Sequence, residues 1–97
     1  MTTVSDTFYE KQKLADDVDY VTDFSDWLQA GVTVSTATGT HTPPSGGADT
    51  ITPTVATPNV TARLGPLSVT GVHYLDVVAT MSNGEKKAVR YLIQVDF

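Results

Sequence analysis

The 97-residue chain has no cysteine, so neither a disulfide framework nor a zinc–thiolate site is available to it. Helix-favouring charged residues are scarce too, with two Glu and four Lys. No run of about eighteen apolar residues occurs, which excludes a spanning helix. The opening Met1-Thr2-Thr3-Val4-Ser5-Asp6 lacks the basic and apolar regions of a secretory leader, and none is expected. Basic charge is outnumbered, six Lys and Arg against eleven Asp and Glu, for a formal charge of −5. An acidic surface repels phosphate backbones and disfavours nucleic-acid partners.

What is abundant is threonine, sixteen residues, together with Val, Tyr and Ile, all of which suit a pleated strand. With 40% hydrophobic residues the chain can form one core, and at this length one domain is expected. Charge is uneven along it. Seven acidic residues lie in 1–26, and Asp49 is the lone charge from 27 to 62. That long neutral stretch of Thr, Gly and Pro excludes an ordinary solvated helix.

Alternation locates the strands. Residues 72–81 and 88–97 are apolar runs around Asn83-Gly84, a pair suited to a tight type I′ hairpin. In the second run Val89, Tyr91, Ile93, Val95 and Phe97 share one face, and Leu92 breaks the polar pattern of the other. In the first, Leu75, Val77, Ala79 and Met81 oppose Tyr74, Asp76, Val78 and Thr80. Further strands are expected at 18–24, 32–37 and 59–64, with an edge strand at best over 51–57, where Pro53 lacks a ladder donor. Ser25 is expected to cap one helical turn that inserts Trp27 and Leu28 into the core, near Tyr91 and Ile93. Residues 41–49 read as a loop. The fold class expected is all-β, an immunoglobulin-like antiparallel β-sandwich over 14–97 preceded by an extended N-terminal arm, residues 1–13.

No chemistry-bearing constellation stands out. Asp16, Asp17, Asp19, Asp23 and Asp26 crowd together, but their spacing does not fit a twelve-residue calcium loop, and strand alternation splits them between faces. His41, in the expected loop, and His73, at a strand start, are expected as ordinary surface residues, with nothing in the spacing to join them. No phosphate loop or nucleophile elbow is present, and a sandwich this small offers little concave volume for a substrate. Catalytic residues, cofactor and metal are therefore expected to be none. Phe8 and Tyr9 in the arm are the candidate interaction residues; adjacent in an extended chain, they face opposite ways. Tyr74 has the position of a sandwich corner tyrosine, whose hydroxyl bonds to upstream backbone.

The run Asp17-Val18-Asp19-Tyr20-Val21-Thr22-Asp23-Phe24-Ser25-Asp26-Trp27-Leu28 resembles the opening of small Ig-like virion proteins of tailed bacteriophages. The resemblance continues in Gly71-Val72-His73-Tyr74-Leu75-Asp76-Val77, in Asn83-Gly84 and in Arg90-Tyr91-Leu92-Ile93-Gln94-Val95. It covers about two thirds of the chain and thins over 38–58. The resemblance implies a non-enzymatic structural subunit of the virion, of the fiber-tail adaptor or capsid-decoration type. It implies partners among major capsid, neck or tail subunits, or further copies of itself, and neither nucleic acid nor membrane. The alternative is a virion-displayed binding module that recognises host cell-surface glycan through exposed aromatics.

Overall fold

A computed structural model describes residues 6–97. Eight strands make two facing sheets: β1 Asp6–Lys13, β2 Val18–Asp23, β3 Val34–Thr42, β4 Asp49–Ile51, β5 Thr54–Ala56, β6 Asn59–Leu64, β7 Gly71–Met81 and β8 Lys86–Asp96. One sheet runs β1-β8-β7-β3-β4 and the other β2-β6-β5, a β-sandwich. The core lies between them, where alternate residues Val60, Ala62 and Leu64 of β6 meet Leu75, Val77, Val89, Ile93 and Val95 of β7 and β8.

The long hairpin forms because both strands alternate, with a mainly apolar inward face on each that is β-branched or aromatic from Val89 to Val95 on β8. Its turn differs from the expected type I′. The Gly84 amide donates to the Met81 carbonyl (2.9 Å), the Met81 amide to Glu85 (2.7 Å), and only Gly84 takes positive φ, +90°. This is a three-residue loop with a left-handed glycine. Asn83 keeps negative φ because its side chain is engaged elsewhere: its Oδ1 accepts from the Glu85 amide (3.1 Å) and its Nδ2 donates to Glu85 Oε1 (2.8 Å).

The expected arm needs correction over the residues described. Residues 6–13 are an edge strand, parallel to β8 with Phe8 beside Tyr91 and Tyr9 beside Leu92, so the sheet is mixed rather than antiparallel. Residues 1–5 of the expected arm lie outside the described residues. The strand is fastened by buried Gln12, whose Nε2 donates to the carbonyls of Asp16 (3.0 Å) and Leu64 (2.9 Å). Its Oε1 accepts from the Tyr20 hydroxyl at 2.7 Å. A polar side chain buried with every bond made joins strands that the hydrophobic pattern alone leaves unpaired.

The 38–58 stretch also differs from expectation. β3 continues through His41, and Pro53 ends β4 so that the chain crosses to the other sheet as β5. The 3₁₀ turn Ser25–Trp27 is present, but Ser25 opens it rather than capping it: Phe24 holds the N-cap position without a side-chain bond, and the Ser25 amide donates to Asp23 Oδ1 at 2.9 Å. Trp27 is half-buried against Phe24 (centroids 5.4 Å apart), while Tyr91 packs on Phe8 and Tyr20. A turn that short holds the indole at the rim of the core, and Phe24 fills the interior place expected for Trp27.

Candidate interaction surface

β1 is an edge strand, so of its two flanks only one is hydrogen-bonded within the sheet. Alternation along it puts Phe8 over Tyr91, with ring centroids 5.2 Å apart, at the rim of the core. Tyr9 points the other way, onto the outer face, and is 77% exposed. There it meets Leu92 of β8, the residue that broke the polar pattern, and Val72 of β7. Tyr9, Glu10, Lys11, Val72, Leu92 and Gln94 line a mainly apolar concavity of about 610 Å³. Exposed apolar side chains gathered in one hollow beside an unpaired strand edge are what an interaction site requires. Gln94 and Lys11, on the same outer face, bring polar groups to its margin.

Beside this hollow the outer face is polar and fixed. Arg90 grips Asp76 through two bonds (2.7 and 3.2 Å) and lies over the Tyr74 ring at 4.9 Å. The carboxylate raises the Arg90 pKa further. Tyr74 therefore faces outward beneath a guanidinium instead of acting as a corner tyrosine. Its alternation partner Leu75 takes the buried side.

The aspartate cluster does not converge. Asp19 pairs with Arg63 (2.7 and 3.2 Å), which holds its carboxyl below the usual range. The Ser25 amide donating to Asp23 lowers its carboxyl pKa, and Asp16 Oδ2 accepts the Lys13 amide. Among the described residues no group of three or more His, Asp or Glu side chains is arranged to hold a metal ion.

The histidines overturn their expected surface placement. Both are buried, and His41 Nε2 lies 2.8 Å from His73 Nδ1 with the rings nearly parallel. β3 and β7 are adjacent, and the register that sets His41 opposite Leu75 brings His73, two residues along on the same face, within reach. Thirty-two residues separate them; His73 shares the phase of Leu75 and Val77, whereas the register irregularity between Val34 and Thr36 hides the phase of His41. They border a second cleft of about 350 Å³ near Asp49, Arg63 and Val69.

No protein-family model matches the chain, and comparison with curated proteins finds no similar sequence. Among solved structures the fold is similar to part of the 2,6-sialyltransferase of Photobacterium sp. JT-ISH-224, determined in a ternary complex with the donor product CMP and the acceptor substrate lactose. The TM-score is 0.57 at 9% identity, over 98% of this chain and 18% of that one. The chain thus spans less than a fifth of the transferase, and the likeness is one of fold.

Proposed function

We propose that this chain is a non-enzymatic, Ig-like structural subunit of a tailed-bacteriophage virion, joined to capsid, neck or tail proteins through the Tyr9 hollow and the open β1 edge. The observation that carries the reading is Tyr9, a large apolar side chain held out from a rigid strand over Val72 and Leu92. Tyrosine anchors in apolar hollows with polar rims dominate protein interfaces, because they desolvate well and lose little side-chain entropy. An unpaired edge strand beside the anchor supplies main-chain donors and acceptors for strand addition. The sequence resemblance over 17–28, 71–77 and 90–95 supplies the particle as the place of assembly.

The test is incorporation. Tyr9→Ser and Leu92→Gln alter side chains on the outer face and leave the core untouched. Each is expected to melt within a few degrees of the parent yet enter particles at least about thirtyfold less, as loss of a ~2 kcal/mol anchor requires. Normal incorporation of both variants would sink the reading.

The exposure of Tyr9 also favours a second reading, a displayed module that stacks a host glycan on that ring, with Gln94 beside it. Saccharide-induced shifts of Tyr9 and Leu92 resonances in the free protein, absent in Tyr9→Ser, would select that reading.

A further inference from the structure

The buried His41–His73 pair has a hydrogen-bond order that its acceptors dictate. His73 Nε2 lies 2.7 Å from the Val69 carbonyl oxygen, which can only accept, so this nitrogen carries a proton. A neutral His73 then has a bare Nδ1, which accepts from His41 Nε2 at 2.8 Å. With its proton on Nε2, neutral His41 leaves Nδ1 bare, 3.5 Å from Asp49 Oδ2. One added proton fits at His41 Nδ1, where the Asp49 carboxylate faces it. A second has to enter at His73 Nδ1, and there it meets the N–H of His41 head-on across the same 2.8 Å.

We propose that His41 and His73 form a pH-sensitive latch that clamps the end of β3 to the start of β7 and the 65–70 loop. Closed, it admits one added proton at most; with both rings charged, it opens. The latch stands on geometry independent of the Tyr9 hollow and goes beyond the function proposed above.

The groups around the pair are few. Asp49 comes from β4, and Arg63 from β6 lines the same cleft, already held by Asp19. The residues opposite the two histidines in the ladders, Leu75 on β7 and Ile93 on β8, are apolar and buried. Burial lowers the His41 pKa, the charge of His73 lowers it further, and Asp49 opposes both without reversing them. The folded chain therefore binds the proton less readily than the unfolded chain. Stability is complete above the unfolded histidine pKa, about 6.5, and is lost as pH falls through that value towards the lower folded one. Opening frees the 65–70 loop from its Val69 anchor and widens the cleft.

His73→Gln separates this latch from ordinary acid destabilisation. A glutamine amide can accept from His41 Nε2 and donate to the Val69 carbonyl as neutral imidazole does, yet it takes no proton. Urea unfolding of parent and variant at pH 7.5 and 5.0 holds every carboxylate in common. The parent is expected to lose about tenfold or more in its folding equilibrium beyond what the variant loses, the equivalent of one pKa unit. Equal losses overturn the latch. If His73→Gln does not fold, imidazole ¹⁵N resonances and amide exchange of the parent decide. Entry of the second proton together with lost protection around His73 supports it. Two doubly protonated rings with unchanged protection overturn it.

Discussion

Phe24 and Trp27 are three residues apart and in contact, yet they carry unequal shares of the core. Phe24 is fully buried and Trp27 only half, with one side of the indole in water. Deleting a buried ring leaves a cavity that rigid neighbours cannot close, whereas a rim residue leaves a dent that water fills. Phe24→Ala is expected to cost ~3–5 kcal/mol and Trp27→Ala clearly less, measured as urea midpoints at neutral pH. The reverse order would mean that the indole is the true plug of this end. At Gly65 the constraint is backbone against backbone. Its φ is +128°, and a Cβ there would overlap the Asp16 carbonyl, which Gln12 already binds. Because neither the strain nor the overlap can relax through a flexible side chain, Gly65→Ala is expected to destabilise by roughly 2–4 kcal/mol. A variant that melts like the parent would show that the Asp16 turn can move aside.

Among the elements, β1 shows how far alternation reads. β7 and β8 are joined by a short turn, and their period-two patterns name both strands and faces, as does that of β6. β1 carries no such pattern, its two aromatics being adjacent among polar residues, and its partner β8 lies some eighty residues on and parallel, a pairing nothing local encodes. The same gap hid His41 beside His73. His73 shares the phase of Leu75 and Val77, whereas His41 was read as part of a loop, and contact between the two depends on the β3–β7 register. In the outer hollow, Tyr9 was legible as an exposed aromatic and Leu92 as a broken pattern; what joins them is again the β1–β8 pairing. The Asn83-Gly84 turn was located correctly and typed wrongly, since side-chain bonds from Asn83 hold its own backbone at negative φ. Integration of β1 has a consequence for stability. Removing residues 1–12 strips Phe8 from Tyr91 and leaves the Leu64 carbonyl and the Tyr20 hydroxyl without Gln12, so the truncated protein is expected to melt well below the parent. Gln12→Ala alone is expected to lose ~2–4 kcal/mol, three bonds at about 1 kcal/mol each plus the exposed cost of unpaired groups. Near-normal melting of both would return β1 to the status of a free arm.

At the scale of the molecule the two sheets are unequal, and stability is expected to follow that inequality. β7 is paired along both flanks, by β8 and β3, and β8 is paired by β7 and β1. Among the described residues their inward side chains supply eight of the fourteen buried hydrophobic positions of the core. β4 and β5 are three residues each, both at sheet edges, separated by the Thr52-Pro53 crossing. Polar links tie the sheets where hydrophobic contact thins: Thr22 Oγ1 lies 2.8 Å from the Tyr91 hydroxyl across the sandwich, and Gln12 joins the Tyr20 hydroxyl to the Leu64 carbonyl. Burial pushes the Tyr20 phenol up to about 12 and raises Tyr91, so both hydroxyls keep their protons at neutral pH. Local opening needs few contacts broken, and an edge strand of three residues breaks fewest. Amides of Leu75, Val77, Tyr91 and Ile93 are therefore expected to exchange only through global unfolding. Those of Thr50, Ile51 and Val55 are expected to exchange at least about a hundredfold faster through fraying of β4 and β5. Native-state hydrogen exchange at pH 7.5, where the histidine pair is neutral and closed, measures the two groups in one experiment. If β4 and β5 share the protection of β7 and β8, the sandwich opens as a single unit and its strength does not reside in the β8-β7-β3 centre.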